Sequence, residues 1–305
     1  MVATSSAVLA TEVAVLLAGF AYASVSDLRT REVSDRLWQL LGVIGLVLGV
    51  VAVAPGGIVP IALWTLVGAF TLEHVFAWDE LLGERRERSA DLIEAVVYAV
   101  VILLVAFATV RYGVSATGVP WAVIAVLVSV LFARALFEFG VLYGGADAKA
   151  LMIASVLVPT FTAVVLPLGA SFSVLLEVVP FSVDLLMDAA LLSIAIPLGL
   201  AVRNLVRGEF RFPDGFTGYQ LPVEELPRRY VWLRDPLAAG GRPREDLETS
   251  EEDQHERERI SAELRARGVA RVWVTPQIPF LVLMTAGAVA ALLAGNLVLD
   301  LITLA

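Results

Sequence analysis

Long uncharged apolar runs divide the chain. Eight stretches, 8–26, 37–54, 58–77, 92–111, 120–141, 148–168, 185–206 and 276–299, stand out, each close to the roughly 20 apolar residues a helix needs to cross a bilayer core. Backbone polar groups in lipid must bond within their own segment, so isolated runs of this kind fold as helices. Of 305 residues, 58% are hydrophobic and 17% charged, against about 45–50% and about 25% in soluble domains. The expected architecture is an all-α polytopic membrane protein of about eight transmembrane helices, with a polar insertion before the last. Three regions follow: 1–206 as the main helical membrane region, 207–275 as a cytoplasmic insertion and 276–305 as the final transmembrane helix. The segment "MVATSSAVLATE" ahead of the first run has no positive charge, so that run reads as a retained helix rather than a secretory signal.

Composition excludes several chemistries. There is no cysteine, so disulfides and thiolate metal sites are ruled out. The two histidines, His74 and His255, lie in different segments, and neither belongs to an i, i+4 histidine pair. No metal site and no cofactor are expected. His74, at the end of an apolar run beside Glu73, reads as a solvated interface residue. The net charge is −9 and no basic stripe occurs, which argues against a nucleic-acid partner. The acidic, lysine-poor balance fits a high-salt cytoplasm or a GC-rich genome.

The arginines orient the chain. With the N-terminus outside, the inner loops are 27–36, 78–91, 142–147 and 207–275. They hold Arg29, Arg31 and Arg36, then Arg85, Arg86 and Arg88, then the lone lysine Lys149 just past the third, then twelve arginines in the last. The outer loops 55–57, 112–119 and 169–184 contain no basic residue. Such a bias marks the cytoplasmic side.

This topology brings two carboxylates to one membrane face. Asp27 ends the first run in "ASVSDLRTREVSDRLW", and Asp147 opens the sixth in "YGGADAKALM". Ionisable groups at such depth are costly and point to function. With no Gly or Pro before Asp27, the first helix should extend through it, leaving Arg29 and Arg31 to reach lipid phosphates. Gly144 and Gly145 allow close backbone approach or a positive φ. Asp147 then begins a helix whose free N–H groups stabilise a carboxylate, which is also a purely structural reason for its presence.

These segments resemble the type IV prepilin peptidases and their archaeal relatives, the preflagellin peptidases, membrane aspartyl peptidases of the GxGD type. "DLRTREVSD" is similar to the family's D-x-[RK]-x-x-x-[IV]-P-[ND] stretch. "GGADAK" is similar to its glycine–aspartate motif followed by x-K. "VWVTPQIPFLVLMTAG" looks like the entry to the final helix of archaeal members. Ser34 stands where the family has proline, with Asp35 in the Asn/Asp place. The paired Cys-x-x-Cys module of bacterial members is missing, so cleavage without methyl transfer is implied. Eight runs also exceed the six helices of compact preflagellin peptidases.

The resemblance implies an aspartic endopeptidase with Asp27 and Asp147 as catalytic residues of the 1–206 region and Gly144, Gly145 and Lys149 in supporting positions. It implies cleavage of prepilin-like or preflagellin-like proteins between a short basic leader and an apolar helix, at the cytoplasmic face of the cell membrane. Partners are then those substrates and membrane lipids. Asp35, Asp79 and Glu80, with Glu84 and Glu87, can attract a basic leader weakly. A presenilin-like or signal-peptide-peptidase-like protease fits less well, because Ser26 precedes Asp27 and no Pro-Ala-Leu occurs. A non-enzymatic transporter calls for charges near mid-bilayer, whereas the ionisable groups are expected at helix edges.

Arg134 and Glu138 are expected to form an i, i+4 pair, and Glu177, Asp184 and Asp188 to lie near the outer face, away from the proposed site. In the insertion, 207–271 carries 14 acidic and 12 basic residues, net −2. Its first half reads as short strands or an ordered loop. Its second half reads as an exposed helix charged on all faces, closed by Gly268.

Overall fold

A computed structural model describes residues 6–76, 89–115, 117–142, 144–160, 179–234 and 251–304. The helices are α1 (Ser6–Thr30), α2 (Asp35–Val53), α3 (Ile58–Val75), α4 (Ser89–Tyr112), α5 (Trp121–Glu138), α6 (Gly145–Leu157), α7 (Phe181–Ser193), α8 (Ala195–Val206), α9 (Glu251–Ala266), α10 (Phe280–Ala294) and α11 (Leu297–Leu304). Strands β1 (Tyr219–Pro222), β2 (Val231–Leu233) and β3 (Arg271–Pro276) accompany them. Among the described residues, six helical segments are long and apolar enough to cross a membrane: Ala7–Thr30, Asp35–Gly56, Ile58–Val75, Glu94–Tyr112, Trp121–Glu138 and Phe181–Val206. The two other expected spans coincide with shorter helices, α6 and α10.

Local sequence explains both shortenings. Helix α6 ends at Leu157 because Pro159 pushes the residue before it, Val158, out of helical geometry, to φ −135° and ψ 83°. The rest of the expected 148–168 span, from 161 on, lies outside the described residues. In the last apolar run, Gly295 adopts φ +84° and closes α10. Asn296 then restarts the chain as α11, its Oδ1 accepting the Leu299 N–H at 3.0 Å. The run 276–299 is therefore two helices.

The chain forms two compact units, 1–26 with 33–191 and 280–305, and 27–32 with 192–279. In the first, α6 is the central helix. It packs against α2, α5, α3 and α10, and every residue from Ala150 to Val158 is buried. A helix apolar on all sides belongs in a protein core or a membrane, and the burial of this run makes it a core element. Helix α2 comes close to its neighbours through a stripe of glycines. A Cβ at Gly45 would lie 3.0 Å from Val156, and one at Gly49 would overlap the Trp64 indole. Such small-residue faces drive helix packing where lipid removes the hydrophobic incentive. Large apolar side chains such as Val43, Val47, Leu103 and Phe107 are exposed on α2 and α4, as on lipid-facing surfaces.

The second unit corrects the all-α expectation. Its strands form an antiparallel sheet in the order β1-β3-β2. The stretch "VWVTP", read as the approach to the final helix, is the central strand. The insertion has its own core, with Leu221, Val223, Leu226, Val231, Leu264, Val272 and Val274 buried. Helix α9 is not charged on all faces. Leu264 and Ser261 are buried, and Ser261 Oγ donates to the Val223 carbonyl at 2.8 Å. Gly268, with φ +75°, lies just beyond the helix end as expected.

Candidate functional site

Asp147 lies in the first turn of α6, in the first unit, with Gly144 as N-cap at φ −93° and ψ 123°. A carboxylate here faces the positive end of the helix dipole. It is half-buried, on a helix held from all sides. Neither Gly144 nor Gly145 has a positive φ. Gly144 has a different role: a Cβ there would sit 2.8 Å from Asp147 Oδ2, so glycine leaves room for the folded-back carboxylate. A Cβ at Gly145 would meet nothing within 4 Å.

Lys149, two residues further, donates from Nζ to Asp35 Oδ1 at 2.6 Å. Asp35 is the first residue of α2. This ion pair joins the end of the first motif to the lysine of the second, inside one compact unit. The Asp35 charge is thus engaged internally. Asp79 and Glu80, with Glu84 and Glu87, lie outside the described residues.

Asp27 is half-buried near the end of α1, which continues to Thr30 as expected. The preceding turns are pinned within the first unit. The Ser24 hydroxyl bonds the Leu281 carbonyl at 3.0 Å and lies 2.7 Å from Thr285 Oγ1 on α10. Residues 27–32 belong to the second unit. Arg31 ends the helix in the left-handed region at φ +61°, rare for a non-glycine residue. Its amide bonds the Asp27 carbonyl at 3.1 Å.

The Arg31 side chain does not reach for lipid. Its Nη2 donates to the Gln277 carbonyl at 2.5 Å, and its guanidinium lies 4.8 Å from the Tyr230 ring centre. Tyr230 Oη donates to the Arg29 carbonyl at 3.4 Å, and Arg257 of α9 also approaches the ring, at 5.3 Å. Burial lowers the Arg31 pKa, while Asp27 and Tyr230 act in the opposite sense. The insertion therefore grips the segment that follows Asp27. Apolar spacing gives no sign of this, since the grip uses a tyrosine ring and a backbone carbonyl.

Other ionisable groups depart from expectation. The His74 side chain is 3% exposed, not solvated. Its Nδ1 lies 2.7 Å from the Phe70 carbonyl and its Nε2 bonds Tyr98 Oη. Arg134 pairs with Glu138 at 2.7 Å as expected, and with Glu94 at 3.4 Å. Glu12 and Asp188 lie within expected spans, while Asp184 and Asp300 are in the first turns of α7 and α11; Glu177 lies outside the described residues. Glu12, Asp184, Asp188 and Asp300 are all buried. Asn296 donates to Asp184 Oδ1 at 2.7 Å and the Leu297 amide to Asp188 Oδ1 at 2.9 Å, so the break between α10 and α11 supplies donors for this cluster. Among the described residues no group of histidine, aspartate and glutamate could hold a metal ion.

Residues 212–297 match the family described as archaeal peptidase A24 C-terminus, type II. The matched region contains all three strands, Tyr230, α9, Gln277 and α10. No curated protein matches the chain. The match supports the resemblance to archaeal prepilin and preflagellin peptidases, and it covers neither Asp27 nor Asp147.

Proposed function

We infer that this chain, which carries the C-terminal region of the archaeal prepilin and preflagellin peptidases, is a membrane-embedded aspartic endopeptidase with Asp27 and Asp147 as its catalytic pair. The family match is the observation that carries the reading. The supporting geometry is local to each motif. Asp147 projects from a rigid, buried helix, and Lys149 beside it holds Asp35, only eight residues after Asp27 in the chain. Asp27 lies near the end of a helix that is held through Ser24 before it and Arg31 after it.

Two aspartates can hydrolyse an amide without a nucleophilic side chain. Carboxylates brought to about 3 Å cannot both ionise, so the pair holds one proton. The ionised member takes a proton from a bridging water as the water attacks the scissile carbonyl. The protonated member hydrogen-bonds the carbonyl oxygen and later gives its proton to the departing amine. The two titrate as one unit. The substrate class is prepilin-like or preflagellin-like proteins, cut between a basic leader and an apolar helix at the cytoplasmic face to which the arginine bias points. No methyl transfer accompanies cleavage.

Asp27→Asn and Asp147→Asn, each reconstituted in liposomes with a prepilin-like peptide, should lose about 10⁴-fold or more in cleavage rate while still inserting and unfolding as the parent does; removal of a member of a catalytic group has effects on this scale. Retained cleavage in either variant would refute the assignment.

A further inference from the structure

The second unit contains a cavity of about 440 Å³ with no assigned role, lined by Arg203, Arg207, Arg229, Arg271, Tyr219 and Glu225 among others. Its volume falls within the range of about 300–1,000 Å³ typical of small-molecule sites. Four guanidiniums converge on it from separate parts of the chain. Arg203 and Arg207 come from the end of α8, four apart and so on one helix face. Arg229 follows the 3-10 turn Val223–Arg228, and Arg271 opens β3.

Charge compensation within the cavity is incomplete. Glu225 is the one lining carboxylate and lies 3.4 Å from Arg229. Arg271 is paired with Glu209. Arg203 stacks over Tyr219 at 4.0 Å from the ring centre and donates weakly to Asn204 Oδ1 at 3.3 Å. The Arg207 amide bonds the Arg203 carbonyl at 3.1 Å, but its exposed side chain makes no hydrogen bond or ion pair among the described residues. Counting both glutamates, the excess is two positive charges. A concave surface of one sign concentrates its field and attracts an anion.

The scaffold is fixed. Asn204 is buried beside Arg203 and donates to the carbonyls of Gly215 and Gly218 at 2.9 and 2.7 Å. The end of α8 is thereby tied to the loop that leads into Tyr219.

We propose that this cavity binds a phosphate group, carried by a phospholipid headgroup or by a free phosphate anion. Arginine forks match phosphate oxygens in bidentate geometry. The location suits a headgroup as well, because Arg203 lies in the last turn of the candidate span Phe181–Val206 and Arg207 immediately follows it. Basic pockets at the membrane edge are the usual means of headgroup recognition. The proposal does not depend on the peptidase assignment.

The test uses the full chain purified in a maltoside detergent, which contains no phosphate. Inorganic phosphate and a short-chain phosphatidylglycerol are titrated separately by calorimetry. One ligand or both should bind at a single site, and each guanidinium removed should weaken binding about tenfold. Arg207→Gln then loses about tenfold, and Arg203→Gln with Arg207→Gln about a hundredfold. Binding of the lipid alone identifies a headgroup site, and binding of phosphate with equal affinity identifies a free-anion site. The Arg207 side chain is exposed and makes no bond among the described residues, so its single variant decides the matter even if the double variant misfolds. Absence of binding to the parent protein, or unchanged binding in Arg207→Gln, would overturn the proposal.

Discussion

Replacing Gly144 by alanine should separate catalysis from stability. The new methyl group would lie 2.8 Å from Asp147 Oδ2 and 3.3 Å from its Cγ, whereas comfortable packing between carbons needs about 3.5–4.0 Å. The backbone itself presents no obstacle, since φ −93° and ψ 123° is open to any residue. The carboxylate must yield, by about 0.5 Å or more. Pushing a side chain about 30° from its rotamer costs about 0.5–1.5 kcal/mol, and a catalytic group misplaced by about 1 Å can cost about 10²-fold. The expected loss of cleavage rate is therefore between about tenfold and a hundredfold. Stability should change by less than about 1 kcal/mol, because the smaller entropy of the unfolded alanine chain offsets a poorer N-cap. Single-turnover cleavage of a prepilin-like peptide in proteoliposomes measures the first quantity, and thermal unfolding in detergent the second. Gly145→Ala is the matched control, with open space around the added carbon, and should stay within about twofold of the parent. Full activity in Gly144→Ala, or an equal loss in Gly145→Ala, would refute the reasoning.

Two further outcomes follow from contacts near the aspartates. Lys149→Met should destabilise the first unit by about 1 kcal/mol, since its pair with Asp35 is 20% and 36% exposed and partly screened; exchanging the two charges, Asp35→Lys with Lys149→Asp, should restore most of the loss in thermal unfolding, and a double variant no better than the single would dismiss the pair. Tyr230→Leu removes the ring that both Arg31 and Arg257 approach, contacts worth about 0.5–1 kcal/mol each, so cleavage should fall severalfold; Tyr230→Phe keeps the ring and should keep most of the rate, and equal damage in both would show that the ring is not what holds residues 27–32.

How far the sequence discloses this protein depends on which force builds each part. Six of the apolar runs correspond to helices long and apolar enough to cross a membrane, because length and hydropathy are legible in sequence. In the other two, Pro159 ends α6 and the Gly295–Asn296 pair ends α10. Both are local signals present in the sequence but outweighed by the average hydropathy around them. The aspartate motifs were legible as residue types at a spacing. The partner of Lys149 was not, because Asp35 lies 114 residues away and no periodicity joins the two. The donors to Asp184 and Asp188 were not legible for a similar reason: they come from a helix break more than 100 residues away, at Asn296 and Leu297.

The insertion is the clearest case of structure adding meaning to a readable segment. Its charge balance suggested a solvated appendage, yet the compact unit it forms takes in residues 27–32. The groups that hold that segment, Tyr230 and the Gln277 carbonyl, both lie inside the region matched to the A24 peptidase C-terminus. Arg31 meanwhile keeps a left-handed backbone that a non-glycine residue adopts at a cost of order 1–3 kcal/mol and retains only where its surroundings enforce it. A polar module that spends binding energy on the backbone four residues beyond a proposed catalytic aspartate has the form of a positioning device. Its sheet and α9 supply the rigidity, Tyr230 and Gln277 supply the contacts, and the end of α1 is the element positioned.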